Sequence, residues 1–197
     1  MDSYQLPQFN RDIHIALLKN VSNASQIRSR IIIAASIPSP QGDAEREAIN
    51  FAFIDPRLLT SALHIKTAIY QALLNEHQAS LRTKSVHSEI LWALNPNNNI
   101  TEAIRRFGVS DSCTSLLIVR ISSPDLNDVE AKIKSIVSGD IVPLSQLETL
   151  TDWATIKKYY KLNGEPVLEE VAGDTQRERA VLDNIVVSSV AMKTVMQ

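Results

Sequence analysis

Cations and amides lie close together along "LRTKSVHSEILWALNPNNNITEAIRRFG", Leu81 to Gly108. Arg82 and Lys84 stand two residues apart, just before a run with helical periodicity. Asn97, Asn98 and Asn99 follow Pro96, and Arg105 and Arg106 come near the end. Guanidinium and ammonium groups pair with phosphate oxygens, and an Asn amide offers both a donor and an acceptor to a base edge. The free N–H groups at a helix start favour the same anions. The chemistry on offer is recognition of a phosphate or a nucleobase. The candidate RNA-binding residues are Arg82, Lys84, Asn98, Asn99, Arg105 and Arg106. The competing reading is that these are ordinary solvated surface cations.

Covalent chemistry has little to draw on. There is no GxxxxGK[ST] or GxGxxG segment, and five glycines leave little material for a phosphate cradle. His14, His64, His77 and His87 are scattered, with no HxxxH, HExxH or CxxC spacing, so neither a metal nor another cofactor is expected. Cys113 is the only thiol. That excludes an internal disulfide and fits a reducing compartment. Acidic pairs such as Glu169-Glu170 read as a solvated face.

Composition narrows the class further. The chain has 197 residues, 44% of them hydrophobic and 21% charged, which suits one globular domain with a real core. A net charge of -2 excludes a global field for nucleic acid, so any such contact must be local. Aromatics at 5% argue against a broad stacking platform. The opening "MDSYQLPQFNRD" has no apolar signal-peptide core. No run reaches the roughly 18 apolar residues of a membrane span, so no membrane contact is expected.

Elements must position these residues, and the pattern supplies them. "DIHIALL", Asp12 to Leu18, reads as a strand. Asn23 with Gln26 resembles a capping box, so a helix is expected from Ala24. "PSPQGD", Pro38 to Asp43, breaks structure as an exposed loop. A helix can resume after Asp43 as its N-cap through "AEREAINFAFID", until Asp55-Pro56 marks a boundary. The clearest helix runs from Ser61 to about Ala79, with Ile65, Ile69, Leu73 and Glu76 on one side. Another runs from Ser85 to Leu94 and stops at Pro96.

Asn99 lies three residues before Glu102 and reads as the cap of a second arm. In that arm Ile100, Ala103, Ile104 and Phe107 form the expected buried face, and Gly108 is placed to be its left-handed end. The stretch is thus a helix hairpin with its turn at Asn95 to Asn98. Its two arms would bring the four cations towards one another.

Downstream, "SLLIVRIS", Ser115 to Ser122, is a buried strand. Pro124-Asp125 opens a helix with Leu126, Val129, Ile133 and Ile136 inward, ended by Gly139. "TDWATIKKYYKL" is a short helix capped by Thr151, and Asn163-Gly164 is a turn. From Asp174 to Met196 the tail reads as a long helix, with strand as the alternative because "NIVVSSVAM" is rich in β-branched residues.

Three blocks, "NFAFIDPRLLTS", "LRTKSVHSEILWALNPNNNITEAIRRFGVSD" and "IKKYYKL", resemble the Cgi-type small subunit of the KEOPS (EKC) complex, whose animal relative is the binding protein of the p53-related kinase. The resemblance runs in order from about Pro7 to Leu162. It departs at residues 33–49, which look like an insertion loop within a single domain of residues 1–197. Beyond Gly164 it matches only in being helical and apolar.

The resemblance implies a mixed α/β fold, a small sheet with surrounding helices, and no catalytic activity. It implies a subunit that binds and modulates the small atypical kinase of a complex that makes threonylcarbamoyl-adenosine in tRNA. The transfer itself belongs to an ATPase-like subunit. A role in holding the single-stranded CCA end of tRNA, a link to telomere maintenance, and a place in cytoplasm and nucleus are implied as well. The alternative is a kinase regulator without direct RNA contact.

Surplus apolar surface is where a kinase would dock. Drawn as a helix, Val181, Leu182, Ile185, Val186, Val187, Val190, Met192, Val195 and Met196 cover more than one face. One face would be core. The other must be covered by this chain or by a partner. With the resemblance, this makes Val187 and Val190, together with Ile69 and Leu73 of the Ser61–Ala79 helix, the expected kinase-binding residues.

Overall fold

The computed structural model describes residues 1–124 and 126–195. The sheet is built on strand β2 (Arg11–Lys19) and strand β4 (Leu116–Ser122), which pair antiparallel with Ile13 opposite Ile121 and Leu17 opposite Leu117. Strand β1 (Asp2–Leu6) flanks β2, and β3 (Ala52–Ile54) flanks β4, giving the order β1-β2-β4-β3. Strand β5 (Asp140–Val142) adds to the end of β2 at Leu17–Lys19.

Helices cover both faces of this sheet, which is why β4 opens with the unbroken apolar run Leu116–Val119 rather than an alternation. On one face Ile13, Ile15, Leu17, Leu117, Val119 and Ile121 meet α3 (Ala62–His77), α4 (Val86–Leu94) and α9 (Thr175–Met192). On the other, Ala16, Leu18, Leu116 and Ile118 meet α1 (Ala24–Ser36) and α6 (Val129–Ile136). The remaining helices are α2 (Gln41–Ala48), α5 (Ile100–Phe107), α7 (Trp153–Tyr159) and the short α8 (Pro166–Glu169). The fold is mixed α/β, as the pattern and the resemblance indicate.

Several expectations change. Asn23 does sit at the start of α1 but does not cap it. Its side chain instead donates to the Ile136 carbonyl at 2.9 Å and accepts from Ser138 N–H at 3.0 Å, tying α1 to the end of α6. Residues 33–49 are not a loop: they form the end of α1, a short turn and α2. Asp43 lies inside the first turn of α2, paired with Arg46, and the helix ends before "AFI", which is β3 rather than more helix.

Helix α6 begins at Val129, later than Pro124-Asp125 suggests, and Asp125 lies outside the described residues. The cap of α7 is Asp152, which accepts from Thr155 N–H at 3.0 Å, while the Thr151 hydroxyl donates to the Leu59 carbonyl at 2.8 Å. The tail is helix, not strand, through Met192, and Met196 lies outside the described residues.

Candidate binding site at the α4–α5 hairpin

The hairpin begins at a loop folded around a carboxylate. Glu89, on the first turn of α4, is fully buried. It accepts from the backbone N–H groups of Arg82 (3.1 Å) and Thr83 (2.9 Å), from the Thr83 hydroxyl (2.7 Å) and from the Asn75 amide of α3 (2.9 Å). A negative charge here also faces the positive end of the helix. Ser85 and Ser88 complete a capping box across the same turn. With its backbone drawn inward, this loop holds the Arg82 and Lys84 side chains at the surface.

The asparagines are mainly a turn, and their amides build it. Buried Asn95 donates to the Asn97 side-chain oxygen at 2.7 Å, and that oxygen also accepts from Asn99 N–H at 2.9 Å. Asn99 then caps α5 by accepting from Glu102 N–H at 2.9 Å. Glu102 does not complete the box. Its carboxylate binds the Asn97 amide and Arg106 instead. Asn98 and Asn99 are exposed.

Helix α5 buries only one edge of its apolar face. Ala103 and Phe107 are fully buried, whereas Ile100 is 37% and Ile104 48% exposed. At about 100° per residue, Ile104 lies well around the helix from Ala103. The expected burial of Ile100 and Ile104 is therefore corrected. Gly108 is also not left-handed, since its φ is -79° and ψ 170°. It must be small for another reason: a Cβ would sit 2.5 Å from the Ile104 carbonyl oxygen.

The four cations rest on two elements, the Glu89 loop and α5. Arg82 and Lys84 stand on the Glu89 loop beside α3. Arg106 is half-buried, ion-paired with Glu102, and its guanidinium lies 4.2 Å from the centre of the Tyr159 ring of α7. Arg105 is exposed beside Ile104. The surface that results on α5 and its turn is Asn98, Asn99, Ile100, Ile104 and Arg105, with Arg106 and Tyr159 at its edge.

The expected kinase-binding residues fare differently. Ile69, Leu73 and Val190 are buried in the main core, because α9 packs against α3 and each covers the other's apolar stripe. Those three side chains present no surface. Val187 is half-buried, with Ser188 and Met192 exposed nearby on α9.

Lys193, which no local pattern marks, closes the hairpin from the tail. Its ammonium donates to the carbonyls of Trp92, Asn95 (2.5 Å) and Asn97 (3.0 Å) and lies 3.9 Å from the centre of a Trp92 indole ring. Burial pushes its pKa down to about 7, and the charge of Glu89 opposes the shift. Glu89 was equally illegible, since an acidic residue on a first turn ordinarily faces water.

Buried histidines support the same region. His64 accepts from Thr60 N–H at 3.3 Å and faces the Tyr160 hydroxyl, which donates to the Leu94 carbonyl at 2.6 Å. His87 accepts from Ile121 N–H of β4 at 2.9 Å. Burial pushes both imidazoles down to about 3, with Arg120 and Arg11 adding to the effect at His87. Among the described residues no group of three or more His, Cys, Asp or Glu is disposed to hold a metal ion.

Fold and site define a mixed α/β domain that displays a capped helix hairpin, its turn amides and two exposed isoleucines on one surface. The chain belongs to the family of kinase binding protein CGI-121, whose model matches residues 18–194. It is 34% identical to the EKC/KEOPS complex subunit CGI121 of Cryptococcus neoformans var. neoformans serotype D (strain JEC21), over 96% of this chain and all of that one. It is 30% identical to the subunit of that name from Neurospora crassa, over 98% of each chain, and 33% identical to that of Yarrowia lipolytica, over 85% of this chain and 90% of the other.

Proposed function

We propose that this chain is the kinase-binding subunit of a KEOPS-type complex. It docks on the small atypical kinase and contributes no catalytic group to the complex's modification of tRNA. The observation that carries this reading is the match to the kinase-binding family across residues 18–194. With Ile69, Leu73 and Val190 in the core, the outer face of α9 around Val187 and Met192 is the docking face. The test is direct binding of the purified chain to that kinase by calorimetry, and no measurable binding would sink the reading. The complex as a whole, with its ATPase-like transferase subunit, acts on tRNA in cytoplasm and nucleus, and the link to telomere maintenance belongs to the same assembly.

We further propose that the α5 surface receives the single-stranded CCA end of tRNA. Unpaired bases need apolar faces and edge-reading amides, and their phosphates need cations. Ile100 and Ile104 supply the first, Asn98 and Asn99 the second, and Arg105 with the loop cations Arg82 and Lys84 the third. Binding of tRNA with and without its CCA end tests this. Equal affinity for the two would favour a kinase regulator that does not touch RNA.

A further inference from the structure

We propose that Lys193 is a positioning residue for the Asn95–Asn99 turn, so that the end of the tail helix governs how Asn98, Asn99 and Ile100 are presented. The carbonyls of Trp92 and Asn95 stand at the C-terminal end of α4, where a helix runs short of internal donors, and the Trp92 carbonyl has there only the Asn95 N–H at 3.2 Å. A lysine from far along the chain adds a donor to both of them and also takes the Asn97 carbonyl from the turn itself. A cation at this end is also favoured by the helix dipole. The indole of Trp92 holds the ammonium from the side.

The turn needs this outside support. Its internal bonds come chiefly from the Asn95 amide, to the Asn97 side chain and to the Asn97 and Asn99 carbonyls, and from Asn99 N–H to the Asn97 side chain, whereas the Asn95 carbonyl is held by Lys193. Lys193 in turn is placed by α3. The Gln71 amide donates to the Ala191 carbonyl at 2.8 Å, and the Thr194 hydroxyl donates to the Gln71 side-chain oxygen at 3.2 Å. The chain of contacts thus runs from Gln71 through the last turn of α9 to Lys193 and the asparagine turn.

Two variants test this in the full chain. Lys193→Met keeps the packing on Trp92 and removes the donors. Gln71→Leu loosens the end of α9 without touching the turn. Amide hydrogen exchange at Asn95 and Asn99 should quicken by about tenfold or more in both, with the core amides of α3 unchanged, because only a local opening becomes easier. Affinity for tRNA ending in CCA should fall towards that for tRNA lacking it, with kinase affinity held. That second readout rests on the proposed RNA site.

Unchanged exchange at Asn95 and Asn99 in both variants overturns the proposal. Faster exchange with an unaltered preference for the CCA end overturns the positioning role in recognition. If the unaltered protein does not distinguish the two RNAs, the RNA reading itself has failed, and the exchange measurement alone decides whether Lys193 holds the turn.

Discussion

The Glu89 carboxylate accepts both the hydroxyl of Thr83, at 2.7 Å, and its backbone N–H, at 2.9 Å. One buried charge thereby organises the loop that carries Arg82 and Lys84. Removing it strands the Arg82 and Thr83 N–H groups and the Asn75 amide together, and each unpaired buried donor is costly. Glu89→Ala should lower stability by about 3–5 kcal/mol, since stranded neutral donors cost about 1–3 kcal/mol each. Glu89→Gln, which keeps two acceptor lone pairs, should cost less. Urea unfolding of the two variants measures the difference, and equal small losses would mean that the loop is held by something else.

Three hairpin variants separate cap, core and surface. Asn99→Ala removes the acceptor of Glu102 N–H and should cost about 1 kcal/mol. Phe107→Ala empties a fully buried site and should cost about 3–5 kcal/mol. Ile104→Ala, at a half-exposed site, should stay within about 0.5 kcal/mol of the parent, as surface changes do. A large loss for Ile104→Ala would place it in the core.

Acid should weaken the fold through its histidines. The folded pKa values of His64 and His87 lie near 3, below the ordinary 6.5. The fold therefore holds the neutral imidazoles, and their contribution is complete above pH 6.5. It declines as pH falls from 6.5 towards 3, where the unfolded chain takes up protons that the fold does not. At pH 5 the loss should be about 2 kcal/mol per histidine by linkage. Unfolding midpoints between pH 7.5 and 5 check this, and His87→Gln should remove about half of the slope.

Local signals explain what could be read from the chain. The hairpin was legible because its stop at Pro96 and its cap at Asn99 are set by neighbours in sequence. Strands β3 and β5 have three residues each, too few for an alternation to register, and they exist because β4 and β2 offer edges. Lys193 acts across about a hundred residues, and Glu89 turns inward onto a preceding loop rather than along its own helix, so no helical or strand pattern marks either. The apolar excess of the tail was plain, but not what covers it. Leu73 and Val190 lie far apart in sequence and share one core.

The cations give a prediction about salt. Arg82 and Lys84 are exposed side chains on a loop whose shape depends on backbone contacts to Glu89, so charge reversal there should spare the fold. Arg82→Glu with Lys84→Glu should weaken tRNA binding and flatten its dependence on salt, since fewer counterions are released. Arg106→Glu should differ, because Arg106 is ion-paired with Glu102 and stacked on Tyr159, and its loss should also lower the melting temperature. An unchanged affinity and salt slope in the folded double variant would leave kinase binding as the whole of the proposed function.

The tail supplies the sharpest contrast, between adjacent turns of α9. Val190 is 2% exposed and packs with Leu182 and Val186 in the main core, whereas Val187 is half-buried at the edge of the outer face. A carboxylate at Val190 would have to be buried without a partner, so Val190→Asp should unfold the isolated chain or cost about 4 kcal/mol or more. Val187→Asp can turn its charge to water and should leave the circular dichroism spectrum and melting cooperativity intact. If the outer face of α9 is the docking face, the same Val187→Asp change places a charge in an apolar contact and should weaken kinase binding by about tenfold or more, since a desolvated unpaired charge is far costlier than the contact it replaces. A folded Val187→Asp variant with undiminished kinase affinity would move the docking face to another exposed apolar patch, and the Ile32–Ile33 pair of α1, each more than half exposed, would be the next to mutate.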